Sequence, residues 1–129
     1  MSVARARAKI KEWRHDTPLF ARQNFGFEPD DWQLSVMKAW DAGHRRIAMN
    51  ACKGPGKTAL LAVLIWQFMV CWPHAKVVAT SISGDNLKDG LWAELALWMK
   101  ESEFIRAAFE WQVTRIVAKD HPETWFASA

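Results

Sequence analysis

From Lys57 the chain reads Lys-Thr-Ala-Leu-Leu-Ala-Val-Leu-Ile-Trp-Gln-Phe-Met-Val-Cys-Trp before it meets Pro73, apolar on nearly every side of a helix. A helix without a polar face has to be covered all round by other elements, and proline ends it. The segment therefore calls for a layered domain in which one central helix packs on a sheet and is roofed by its neighbours. The mostly apolar part, Ala59 to Trp72, has fourteen residues, too few to span hydrocarbon. No apolar h-region follows the positive charges at the N-terminus, as a secretory signal would require. The expectation is a soluble, cytoplasmic protein with no membrane partner.

A chain of 129 residues that is half hydrophobic and 24% charged can bury one core, so a single domain is expected. Nine Trp and seven Phe, with no Tyr, supply its large apolar surfaces; they could also stack on bases, but core packing is how aromatics usually behave. Cys52 and Cys71 cannot build a disulfide framework. His15, His44, His74 and His121 lie too far apart for zinc spacing, and free thiols fit a reducing compartment.

The net charge of +3 is unevenly placed: Arg5, Arg7, Lys9, Lys11 and Arg14 face a single early acid, Glu12. Residues 1–26 read as a basic arm containing a helix, suited either to neutralising nucleic-acid phosphates or to keeping the chain soluble. Residues 27–129 read as the domain proper. Glu28-Pro29-Asp30-Asp31 offers N-cap acids for a helix through Trp32, Val36, Met37 and Trp40, and Gly43 is a stop. Arg45 to Asn50 reads as a short buried strand centred on Ile47-Ala48-Met49. A second strand is expected over Lys76 to Ser83, then a helix from Leu87 to about Glu101 and a short one over Phe104 to Phe109. A third strand is expected over Trp111 to Ala118, and a fourth beginning at Glu123 to Phe126. Strands alternating with helices predict an α/β fold with a parallel sheet and right-handed crossovers.

Between the first expected strand and the apolar helix stands Ala51-Cys52-Lys53-Gly54-Pro55-Gly56-Lys57-Thr58. A loop that cradles phosphate points backbone N–H groups at anionic oxygens, in conformations that side chains obstruct, and Gly54 and Gly56 meet that need. The helix that follows aims its N-terminal dipole at the same oxygens. Lys57 is placed to reach the β and γ phosphates of a nucleoside triphosphate, and the Thr58 hydroxyl to ligate Mg²⁺. The usual pattern is G-x-x-x-x-G-K-[ST], and Ala51 stands where its first glycine would be, a variant familiar from helicase-like NTPases. ATP with Mg²⁺ is the expected ligand. Residues 51–58 are its candidate contacts, with Lys57 and Lys53 the candidate catalytic cations.

Asp31-Trp32-Gln33, the loop itself, Ala79-Thr80-Ser81 and the stretch Asp85-Asn86-Leu87-Lys88-Asp89-Gly90-Leu91-Trp92-Ala93-Glu94-Leu95 together resemble the N-terminal part of the ATPase domain of a tailed-bacteriophage terminase large subunit. That family packages DNA into capsids. The resemblance runs from about Phe27 to Ala129 and implies a P-loop NTPase, a parallel sheet flanked by helices. Gln33 then reads the adenine edge, its amide donating and accepting at once. Terminases often carry an arginine at the place held here by Lys53, which supplies the charge without the bidentate fork. The implied partners are double-stranded DNA, a portal and a small terminase subunit, with a homo-oligomer in the full motor and the host cytoplasm as location. Thr80 to Ser83 falls where such motors couple to DNA, although Ser83 and Asp85 suit helix capping equally well.

Hydrolysis in such motors needs an apolar strand ending in Asp and usually Glu. The nearest match, Ile116-Val117-Ala118-Lys119-Asp120, is poor, being interrupted by a lysine and followed by His121-Pro122. The domain is thus expected to be incomplete relative to a full ATPase domain, a truncation or a fragment that binds ATP and hydrolyses it slowly or not at all. Two rivals remain: a helicase-like NTPase on other nucleic acids, and a non-enzymatic remnant that binds DNA or a protein partner.

Overall fold

The computed structural model describes residues 2–49, 56–80 and 87–128, and for 87–89 the backbone only. The elements in chain order are α1 (Val3–Trp13), α2 (Thr17–Phe25), α3 (Asp31–Asp41), α4 (Lys57–Cys71), β1 (Lys76–Val78), a π-helical turn (Leu87–Trp92), α5 (Ala93–Glu101), α6 (Glu103–Ala108), β2 (Phe109–Trp111), β3 (Arg115–Ala118) and β4 (Phe126–Ser128).

Local chemistry sets most boundaries. The Ser2 hydroxyl accepts from Arg5 N–H to start α1, and the Asp16 carboxylate accepts from Leu19 N–H to start α2. Helix α2 ends at Gly26, whose φ of 63° opens the left-handed turn that lets Phe27 N–H reach back to Ala21 C=O. Ser102 separates α5 from α6 and caps the latter through Ile105 N–H. Pro73 follows α4 as expected.

Helix α4 is the hub. It packs against α1, α2, α3, α5, the π-helical turn and β1. Leu60, Ala62, Val63, Trp66, Met69 and Cys71 are fully enclosed. Its one polar interior residue, Gln67, is also fully buried, and the amide ties three helices together. Gln67 Oε1 accepts from Trp40 Nε1 of α3 at 2.9 Å, while Gln67 Nε2 donates to the Trp13 and Arg14 carbonyls at the end of α1 at 3.1 and 3.0 Å. Indole N–H groups finish the packing: Trp66 donates to Leu95 C=O and Trp125 to Met69 C=O. Aromatic residues thus serve the core, with Trp13, Trp66 and Trp92 buried.

Trp13, Phe20, Ala21 and Phe25 belong to that same core, and Arg14 Nε donates to Cys71 C=O at the end of α4. The segment expected as a basic arm, residues 1–26, thus gives its second half to the core, while Val3, Arg5 and Arg7 of α1 are exposed. Across α2, Thr17 gives both its N–H and its hydroxyl to the Asp41 carboxylate, at 2.8 and 2.6 Å. Burial raises the Asp41 pKa above the ordinary carboxylate value, outweighing the lowering by the two Thr17 hydrogen bonds.

The sheet has the order β1-β4-β3-β2 and is mixed. Only β1 and β4 are parallel, with Lys76 opposite Phe126; β3 runs antiparallel to both β4 and β2, with Ile116 opposite Ala127 and Phe109 opposite Ala118. The parallel sheet expected from the alternation of elements is corrected accordingly. The single strand expected over Trp111 to Ala118 is a hairpin, closed where Gln112 N–H donates to Arg115 C=O at 2.7 Å. Its two-residue turn, Val113-Thr114, has none of the Asn-Gly or Asp-Gly chemistry that announces such turns. The strand expected over Arg45 to Asn50 is not formed over its described part, Arg45 to Met49. Arg46 and Ala48 are exposed, and Arg45 lies over the Trp40 ring instead, its Cζ 5.6 Å from the centroid. Three apolar residues hold an extended conformation only when a neighbouring strand completes the ladder, and none does so among the described residues. Strand β1 is shorter than expected, and Ser81 to Ser83 lie outside the described residues.

Replacing Gln67 by Leu strands the Trp40 indole N–H and two carbonyls in a dry interior. The variant is expected to lose about 2 kcal/mol or more of stability in urea denaturation, far more than a hydrophobic gain at one side chain offsets. Burial, the largest influence, pushes the Cys71 thiol from 9.0 up to about 12. Because the folded pKa is the higher one, the unfolded thiol ionises first; this contribution to stability is complete below pH 9.0 and is lost as pH rises to about 12. In a Cys52→Ser background the remaining thiol should resist a disulfide reagent near neutral pH and react once urea unfolds the chain.

Candidate functional site

The candidate site is the N-terminal mouth of α4. Gly56 is the N-cap of this helix at φ 89° and ψ 21°, a left-handed conformation that side chains disfavour. Its carbonyl accepts the first intrahelical bond, from Leu60 N–H at 3.0 Å, and a second from Gln33 Nε2 at 3.0 Å. A Cβ on residue 56 would come 2.7 Å from that same Nε2. The backbone angle favours glycine here, and any side chain would have to push the Gln33 amide off its bond to the Gly56 carbonyl.

Gln33 is buried, 4% exposed, at the third position of α3, and Asp30 N–H donates to its Oε1 at 2.9 Å. The amide thus bridges the start of α3 to the start of α4. It keeps one N–H and one lone pair, but both ends of the side chain are committed to backbone, and the role the fold gives it is to hold Gly56. This role was missed in the sequence, although the Asp30-x-x-Gln33 spacing of a capping box announces half of it.

Lys57 and Thr58, both half-buried, open the first turn of α4. That turn carries no acidic residue, and no side chain caps it among the described residues. The first N–H groups of a helix have no intrahelical acceptor, and the helix dipole adds partial positive charge at the same point, so the mouth of α4 favours an anion. The remaining candidates, Ala51, Cys52, Lys53, Gly54 and Pro55, lie outside the described residues, as do Ser81 to Asn86 of the expected coupling and capping segment. Thr80 is exposed.

Asp120, the nearest match to an acidic motif, is exposed beyond β3 and lines a cleft with Val70, Phe109 and Trp125. Val70 stands thirteen residues beyond Lys57 on α4, a rise of about 20 Å. Asp120 therefore sits at the far end of the helix and is corrected as a partner for Thr58 or Lys57. Among the described residues no cluster of three or more His, Cys, Asp or Glu could hold a metal ion. The expected Mg²⁺ ligand, Thr58, stands in the first turn of α4.

No family model, curated protein or solved structure matches the chain. No helix among the described residues is long and apolar enough to cross a membrane.

Gly56→Ala places a methyl group against the Gln33 amide in a backbone conformation that costs an L-residue about 1–2 kcal/mol. Guanidinium denaturation should show at least that loss. Gln33→Leu should separately loosen the mouth of α4, seen as faster amide exchange at Leu60 than at Val63.

Proposed function

We propose that this chain is the ATP-binding portion of a terminase-like DNA-packaging motor, a P-loop NTPase unit that takes ATP·Mg²⁺ at the mouth of α4. The observation that carries the reading is the junction at Gly56. A left-handed glycine clasped by Gln33 leads directly into a helix opened by Lys57 and Thr58, in the register of the motif Ala51-Cys52-Lys53-Gly54-Pro55-Gly56-Lys57-Thr58.

In this reading the backbone N–H groups of the loop, Pro55 having none, would hold the phosphates, the Lys57 ammonium would offset their charge, and the Thr58 hydroxyl would ligate Mg²⁺. Bound Mg²⁺ withdraws charge from the phosphoryl oxygens. Lys53 is a second cation toward the transferring group, lacking the planar fork that an arginine would offer. Gln33 holds Gly56 and offers adenine the N–H and the lone pair that its two backbone bonds leave over. Hydrolysis by the chain alone is slow, because the sequence has no apolar strand ending in paired acids and Asp120 stands at the wrong end of α4. In the intact motor, ATP turnover drives double-stranded DNA, with the portal and small subunit as partners.

Calorimetric titration with ATP and Mg²⁺ checks the assignment. Lys57→Ala should weaken binding at least about tenfold, the loss of one charge-assisted contact worth about 1.4 kcal/mol or more, while leaving the urea midpoint in place. Unchanged affinity in a folded Lys57→Ala variant overturns the site.

A further inference from the structure

Arg7, Lys11 and Arg14 stand four and three residues apart on α1. At 3.6 residues per turn they fall within about 60° of one another, a single stripe beside the face that carries Ile10 and Trp13 into the core. The stripe runs into a cleft of about 230 Å³ between the ends of α1, α3 and α4, whose lining includes Arg14 and Arg45. The guanidinium of Arg14 lies over Trp72, 5.0 Å from Cζ to ring centroid, and that of Arg45 over Trp40 at 5.6 Å.

These cations have no ion-pair partner among the described residues. Among the described residues only two ion pairs form, Lys9–Glu12 and Arg22–Glu28, and neither involves the stripe. The acid that lines the cleft, Asp41, is turned to the start of α2, where it accepts both hydrogen bonds from Thr17. Capping explains only part of Arg14: its Nε satisfies Cys71 C=O, while the rest of a five-donor fork is left over. Nothing in the packing calls for Arg7, Lys11 or Arg45, all exposed. Holding the Arg14 and Arg45 guanidinium groups over indole rings removes part of their conformational freedom before any partner arrives, which favours an anion with repeated charges.

We infer that the Arg7–Lys11–Arg14 stripe of α1, continued by Arg45 in the cleft, is a binding surface for the phosphodiester backbone of a nucleic acid. Charge complementarity commits the surface to a polyanion: three cations in a stripe along α1, with Arg45 lining the cleft at its end, suit a repeated phosphate, and no base-reading geometry is needed. The inference takes from the proposed function only the class of partner and does not depend on the nucleotide site. That site lies at the opposite end of α4, so the two can be lost separately.

Fluorescence anisotropy with a labelled DNA duplex, read as a salt titration on the full chain, tests it. Arg7→Gln/Lys11→Gln should weaken binding about tenfold or more near 100 mM salt and lower the slope of log K against log salt by about one per cation removed. Both residues are exposed, so folding is not at stake; Arg14→Gln/Arg45→Gln should act in the same direction. Lys76→Gln/Lys100→Gln, which removes the same charge from other elements, should change affinity by less than about twofold. Lys57→Ala should leave duplex binding intact, so failure of the nucleotide assignment would not be mistaken for failure of this one. The inference is overturned if the stripe variants bind as the wild type does, if the control pair weakens binding equally, or if the stripe is needed for anionic phosphatidylserine vesicles but not for DNA.

Discussion

The demand that α4 be covered on every side governs the rest of the structure. A polar stripe would have let this helix sit on the surface; without one, α1, α2, α3, α5 and the sheet are all drawn to it. Gln67 shows how that demand is met without a molten interior. One buried amide with three satisfied hydrogen bonds fixes the angular position of α4 against α1 and α3, where aliphatic contacts alone leave rotation about the axis poorly specified. Trp66 and Trp125 do the same toward α5 and the sheet, each joining a large apolar area to one directional bond.

The same helix links packing to chemistry. Its C-terminal half is locked by Arg14, Gln67 and Trp125, so its N-terminal mouth is presented from a rigid body. The clasp between Gln33 and Gly56 then fixes where the chain enters. A phosphate-binding cradle depends on amides held in place before the ligand arrives, since ordering them at the moment of binding costs affinity. Gln33, which the sequence suggests as a base-reading side chain, also braces Gly56 in the unliganded protein.

The two proposed sites fall at the two ends of α4. The N-terminal mouth combines helix dipole, Gly56 and Lys57. The C-terminal end gathers Arg14 and Arg45 against Trp72 and Trp40, where cations also offset the partial negative charge of the last turn. A polyphosphate and a phosphodiester backbone suit these ends differently, the first needing convergent amides and the second a row of separated cations.

Much was legible without coordinates. The apolar run with its proline stop marks α4, the Asp30-x-x-Gln33 box marks α3, and the loop before Lys57 favours glycine at residue 56, because periodicity, capping and left-handed backbone are properties of a few adjacent residues. Strand pairing is not. Val113-Thr114 turns a hairpin with no turn residue to signal it, Arg45 to Met49 stays unpaired although its pattern suits a strand, and the sheet is mixed where alternation pointed to parallel. Each of these depends on which distant segment offers a ladder of hydrogen bonds. Tertiary packing also puts Asp120 beyond the reach of Lys57, brings Trp13, Phe20, Ala21 and Phe25 into the core and places Arg14 and Arg45 on one cleft. The sequence by itself determined that a buried helix follows a glycine loop; only the tertiary structure decided which side chains share its two ends, since contacts between segments far apart in the chain are set by packing rather than by local preference.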